Sequence, residues 1–154
     1  ESAMLYQRDL ALFGVFDGHG GAQVSRILRD ELLPSIAHSL KQTQKEALRR
    51  APSVLGASSL ISSGAHEKWS DGQASDALRR GFRCVEGGLV TTDGGLVTAD
   101  GGCFAGATAV VMMLQSGGKC LNIAWCGDCR AVLSQRGEAV VLTADHTLSV
   151  GAEQ

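Results

Sequence analysis

The sequence predicts an α+β fold, and three observations carry that prediction: a short apolar run that stops at Asp17-Gly18, two stretches whose apolar residues recur at helical spacing, and four strand-like runs separated by glycine turns. The four runs follow one another with no helix between them. Alternating strand and helix crossovers, which a parallel doubly wound sheet requires, are missing, so antiparallel sheets with segregated helices remain.

Residues 10–16 (LALFGVF) are uniformly apolar and read as a buried strand that ends in a turn at Asp17-Gly18. From Gly21 onward Val24, Ile27, Leu28, Leu32 and Ile36 fall on one helical face, and Pro34 is expected to kink or divide that helix. Residues 41–72 combine a small basic patch at Leu48-Arg49-Arg50 with a Ser, Ala and Gly rich stretch, and they read as a variable surface connection with at most a helical turn. Residues 75–86 place Ala77, Leu78, Phe82 and Val85 on one face of a second helix, with Ser75 or Asp76 as its N-cap and Gly81 as a mild weakness. Residues 87–102 hold a tandem repeat, GGLVTTD then GGLVTAD. Two copies fall short of the roughly three that a solenoid needs, and the spacing of calcium-binding arrays is absent, so this is read as a Gly-rich loop. The runs FAGATAVVMMLQ, CLNIAWC, RAVLSQ and AVVLTA, with turns at 116–119, Gly127-Asp128 and 136–138, describe an antiparallel meander.

With 154 residues the chain is one domain or part of one. Apolar residues at 44% and charged residues at 19%, with no long run of one sign, place it among soluble globular chains rather than disordered ones. A net charge of -2 gives no electrostatic reason for nucleic acid or an anionic membrane as the main partner. No apolar run reaches the roughly 18 residues of a membrane helix, and the start lacks the features of a signal peptide. Because the sequence begins at Glu1 and stops at Glu153-Gln154, it is expected to be a fragment, with an intracellular location, cytoplasmic or nuclear, as the default. Cys84, Cys103, Cys120, Cys126 and Cys129 form an odd set without framework spacing, which favours reduced thiols held mostly in core or strand positions.

The chemistry concentrates in Asp17-Gly18-His19-Gly20-Gly21. A carboxylate at a strand end is a hard oxygen ligand for Mg²⁺ or Mn²⁺, and the glycines let carbonyls and waters approach the same ion. His19, two residues on, points the same way from an extended segment and can donate a proton beside the metal. The competing reading is a glycine turn in which Asp17 caps the next helix and His19 is an exposed bystander. Asp128 has two readings as well, a metal-binding acid or a residue of turn geometry. Trp125-Cys126-Gly127-Asp128-Cys129 offers a redox reading, but that chemistry needs a helix starting at the first cysteine, and residues 130–134 read as a strand. A zinc reading has a single Cys-x-x-Cys pair with only Cys120 to add.

Four runs, LFGVFDGHGG at 12–21, FAGATAVV at 104–111, CGDCRAVL at 126–133 and LTADHT at 142–147, resemble in order four signature stretches of the type 2C, metal-dependent protein phosphatases. The resemblance covers nearly the whole chain, with 41–72 and 87–102 as departures in length. It implies a four-layer α-β-β-α sandwich of antiparallel sheets flanked by helices, here truncated at both ends, with two Mg²⁺ or Mn²⁺ ions in a cleft. By the same resemblance Asp17 bridges both ions, Gly18 ligates one through its carbonyl, and Asp128 belongs to a further, weaker metal site. A metal-activated water would attack the phosphorus of a phosphoserine or phosphothreonine protein, and His19 would protonate the departing oxygen. Gly106 and Thr108 match a stretch that packs strands together, and Asp145 and His146 match one without metal ligands, read as an exposed turn. The family's upstream acidic pair and phosphate-binding arginine have no counterpart in residues 1–9, and its two later aspartates are also absent. One bridging carboxylate and one carbonyl cannot offset the mutual repulsion of two divalent ions, so the chain by itself is expected to be inactive. The alternative is a noncatalytic phosphatase-like module that binds phosphorylated partners, although such a module has no chemical need for Asp17 or His19. Calcineurin-like metallophosphoesterases require Gly-Asp and Asn-His runs not found here.

Overall fold

Leu10, Leu12 and Phe16 alternate along the chain and are all buried, which identifies one strand face turned wholly into a core. The computed structural model describes residues 1–7, 10–50, 69–89, 105–115 and 118–146. In it, β1 (Ser2–Gln7), β2 (Leu10–His19), β3 (Gly106–Gln115) and β4 (Cys120–Cys126) form one antiparallel sheet in that spatial order. A separate two-stranded ribbon joins β5 (Val132–Gln135) to β6 (Glu138–Val141). The α+β class therefore holds, but the single meander does not, because β4 pairs with β3 and not with β5. The chain leaves the sheet at Gly127, whose φ of 85° lies in the left-handed region and breaks the extended run. At the ribbon's tip Arg136 (φ 54°) and Gly137 (φ 85°) both adopt positive φ, the turn whose twist matches a two-residue hairpin.

β1 was not expected from the sequence, and its composition explains why. Only Ala3 and Leu5 pack against the core, while Met4 and Tyr6 are exposed on the other side, so the six residues show no one-sided pattern. Its place is fixed by register: Ser2 faces Val15, and the main chains of Glu1 and Phe16 exchange hydrogen bonds of 2.8 and 2.9 Å.

Two helices cover one face of the sheet. α1 spans Gln23–Arg50, so residues 41–50 are helical rather than part of a surface connection. Val24, Leu28, Leu32, Leu33, Ile36 and Leu40 supply its buried stripe. Pro34 lies inside this helix without dividing it. The residue sits on the exposed side, where the carbonyl that its missing N–H leaves unpaired can be hydrated. α2 spans Asp71–Leu89, longer at both ends than the expected 75–86. Its cap is Ser70, not Ser75 or Asp76: Gln73 N–H donates to Ser70 Oγ at 3.3 Å and Ser70 N–H donates to Gln73 Oε1 at 2.9 Å, a reciprocal capping box. Gly81 is needed rather than merely tolerated, since a Cβ there would stand 2.3 Å from Ile36 Cγ1 and 3.1 Å from the Ile36 backbone. The two helices touch at that point. Gly87, Gly88 and Leu89 close α2, and the rest of the expected repeat loop, like residues 51–68 of the expected connection, lies outside the described residues.

The opposite sheet face is also apolar. Alternation and register put Met4, Tyr6, Phe13, Val15, Met112 and Ile123 on it, with Tyr6 and Phe13 in an edge-to-face contact at 5.7 Å. No described helix or strand packs against this face. The layers described are thus one of helices, one sheet and the separate ribbon.

Candidate functional site

Asp17, Gly18 and His19 belong to β2 itself, so the strand runs three residues beyond its expected end at Phe16, and the break comes at Gly20 (φ 68°) and Gly21 (φ 144°). The capping alternative for Asp17 is overturned. α1 starts after Ala22, whose carbonyl accepts the first helical bond from Arg26 N–H at 3.1 Å, and Asp17 is held in register opposite Thr108. Strand alternation puts Asp17 and His19 on the same face, the one not covered by helices. Gly106 faces His19 in register, and a Cβ at Gly106 would lie 2.5 Å from the His19 ring, so the imidazole lies across Gly106 and a methyl group there would push it aside. On the other face Gly18 meets the start of α1: a Cβ there would stand 2.7 Å from Ser25 Oγ and 3.0 Å from the Gly21 carbonyl oxygen. These two glycines, one on each side, let the strand end fit between the helix and β3.

Asp128 reaches the same end of the sheet by another route. The β3–β4 register brings Gly127 beside Thr108, and a Cβ at Gly127 would come within 2.5 Å of Thr108 Cγ2. Thr108 therefore lies between Asp17 and Gly127. Two strand spacings of about 4.8 Å separate the backbones of Asp17 and Gly127 by about 10 Å. Asp128 follows Gly127 directly, so both acids belong to the same end of the sheet. Neither side chain has a hydrogen bond or ion pair among the described residues. Arg130 pairs with Asp145 through two bonds of 2.9 and 2.7 Å. These bonds and the Asp145 charge hold the guanidinium more basic than usual, with a smaller contribution from the Asp128 charge, and they hold the Asp145 carboxyl below its ordinary range.

Among the described residues no three His, Cys, Asp or Glu side chains converge on a point. Asp17, the carbonyl-rich glycine run and Asp128 are hard oxygen donors at one sheet end, so they fit Mg²⁺ or Mn²⁺ in kind while supplying fewer than the six or so oxygens that such an ion takes. Glu1 lies one register step from Asp17 but does not join it. Its carboxylate turns to the helix side, 3.2 Å from Arg29 and 3.8 Å from Arg26. Arg8 and Asp9 lie outside the described residues.

Among the described residues, Cys126 and Cys129 do not sit at the start of a helix as the redox reading requires. Cys126 ends β4 opposite the buried Ala109, whereas Cys129 Sγ lies 3.0 Å from Thr108 Oγ1, and no helix follows the first thiol. Cys120 and Cys126 are strand residues of β4, as expected, whereas Cys84 is exposed on α2, and Cys103 lies outside the described residues. Sequence reasoning also passed over Gly106 as a support for His19 and Asp145 as the partner of Arg130. The opposite charges of Arg130 and Asp145, on two runs that flank a hairpin, were the available signal.

Comparison with known proteins follows the same lines. The family model for protein phosphatase 2C matches residues 2–154. Probable protein phosphatase 2C 8 of Oryza sativa subsp. japonica is 32% identical over 140 residues, 91% of this chain and 31% of the relative. Probable protein phosphatase 2C 72 of Arabidopsis thaliana is 35% identical over 164 residues, 99% of this chain and 42% of the relative. The chain thus spans well under half the length of these relatives. A crystal structure of a serine-threonine phosphatase 2C from Toxoplasma gondii superposes with a TM-score of 0.61 at 21% identity, covering 94% of this chain and 43% of that one, which supports the fold. With a family model matched over almost its full length and the motif's acid and histidine together on one strand end, the chain belongs to the protein phosphatase 2C family.

Proposed function

We propose that the protein carrying this chain is a metal-dependent serine/threonine phosphatase acting on phosphorylated proteins, with Asp17, Gly18 and Asp128 as metal-binding residues and His19 as the catalytic acid. One observation carries the reading: Asp17 and His19 share a strand face, two residues apart, with Gly106 leaving room for the imidazole. Two Mg²⁺ or Mn²⁺ ions are the proposed complement of the whole site, Asp17 and the Gly18 carbonyl contributing oxygens to that pair and Asp128 to a weaker site. A divalent ion bound there supplies a Lewis acid for the phosphoryl oxygens and a water acidic enough to act near neutral pH. His19 holds a proton at Nδ1 or Nε2 and delivers it to the serine or threonine oxygen as the P–O bond breaks, because an alkoxide is otherwise a poor leaving group.

This role has a specific signature. His19→Ala is expected to slow hydrolysis of a phosphoserine peptide by about 10²-fold or more. The same change should slow an aryl phosphate far less, since a phenolate departs without a proton. Equal losses on both substrates would remove His19 from the acid role. The 154-residue chain alone is expected to show little or no hydrolysis. The alternative reading is a noncatalytic phosphatase-like module. It predicts phosphopeptide binding without turnover by the full-length protein.

A further inference from the structure

The carbonyls of Gly127 and Cys129, the residues on either side of Asp128, are both held by one later segment. His146 N–H donates to the Gly127 carbonyl at 2.9 Å, and Thr143 Oγ1 donates to the Cys129 carbonyl at 3.2 Å while accepting Ala131 N–H at 3.0 Å. Leu142 N–H donates to the Ala131 carbonyl at 2.9 Å, and Trp125 Nε1–H donates to the Ala144 carbonyl at 2.7 Å. The Trp125 and His146 rings stack at 5.3 Å with 22° between their planes. The two-pronged Arg130–Asp145 pair locks the same two stretches from outside. Most of these contacts are polar and several are exposed, and the arginine side chain is 65% exposed. An exposed ion pair adds little to stability, so its planar, two-bond geometry matters more for position than for holding the fold.

We infer that residues 142–146 form a strap that sets the position of Asp128, with Arg130 and Asp145 as positioning residues for its metal site. The inference rests on the proposal that Asp128 binds metal. Gly127 itself has a left-handed backbone and no side chain to anchor it. Apart from the strap, the ties of the Gly127-Asp128 turn to the sheet among the described residues run through the end of β4 and through the contacts of Gly127 and Cys129 with Thr108. With it, the backbone is fixed one residue before and one residue after the carboxylate, in the way that outer partners orient a metal ligand.

The test is a Mn²⁺ titration of the protein, read by the electron paramagnetic resonance of free Mn²⁺, together with melting temperatures. Asp128→Asn should weaken one class of Mn²⁺ site. Asp145→Asn and Arg130→Gln should each weaken that same class by about 10-fold, with melting temperatures within about 2 °C of the parent. The double variant should be no weaker than either single one, because both remove the same contact. Arg130→Lys, which keeps the charge and loses the fork, should fall between. If Asp128→Asn lowers Mn²⁺ affinity and Asp145→Asn does not, the strap inference is overturned while the metal role of Asp128 stands. If Asp128→Asn changes nothing, both fall. A large drop in melting temperature for Asp145→Asn and Arg130→Lys alike would make the segment a fold element and overturn the positioning role.

Discussion

The two faces of the four-stranded sheet are built from alternate residues of the same strands, yet they do different work. Leu12, Phe16, Val111 and Met113 lie beneath α1 and α2 and are almost wholly buried, whereas Met4, Tyr6 and Val15 on the other face stay exposed. Both faces are apolar, but only one is covered by described elements. The site residues Asp17 and His19 continue the uncovered face to its end. The covered face thus supplies the rigidity, and the uncovered one carries the residues proposed for the chemistry. In a sandwich of two sheets this apolar face is the one that a second sheet would cover.

On that division, truncations to alanine should cost very different amounts on the two faces. Leu32→Ala, at a fully buried position, is expected to destabilise the chain by about 3 kcal/mol in urea unfolding, and Val15→Ala on the open face by under about 0.5 kcal/mol. Similar costs at the two positions would break the comparison. Gly81→Ala comes next. Helix propensity alone predicts a gain of about 1 kcal/mol. The contact with Ile36 instead predicts a loss of about 1–3 kcal/mol, because backbone must move to admit the methyl group. Ser70→Ala should cost about 1 kcal/mol through the α2 cap.

The same comparison explains how much was legible in the sequence. LALFGVF and ATAVVMML read easily as strands because apolar residues on both faces leave no polar alternation to confuse them. β1 gives a weaker signal, since Ser2 and Gln7 bound a run of only four apolar residues, too short to tell a strand from a turn of helix by periodicity. The helices were readable where they meet the sheet. Residues 41–50 were not, because a basic, Gln-rich stretch carries only a weak stripe beyond Leu40. The Asp17–His19 pairing was visible from a spacing of two, which needs only an extended chain. The role of Gly106 and the Arg130–Asp145 contact was not, because both depend on register between segments more than a dozen residues apart.

The smallest expected effect lies at the strap. The Arg130 guanidinium holds the Asp145 carboxyl below its ordinary value of about 3.9. Because the folded value is depressed, the stabilisation is fully present at neutral pH and is lost as pH falls through that lowered midpoint. A carbon-13 titration should find Asp145 below the ordinary value in the parent and close to it in Arg130→Gln. An unshifted midpoint in the parent would show that the pair is not formed in solution.

The central claim, that the end of β2 on the uncovered face is a metal-dependent phosphatase site, is tested most directly by one rate. Mn²⁺-dependent hydrolysis of a phosphothreonine peptide by the full-length protein should fall by about 10²-fold or more in Asp17→Ala, with the variant folding as the parent does, because a carboxylate proposed to bridge the metal pair is lost. Turnover by Asp17→Ala at the parent's rate and with the parent's Mn²⁺ dependence would contradict it.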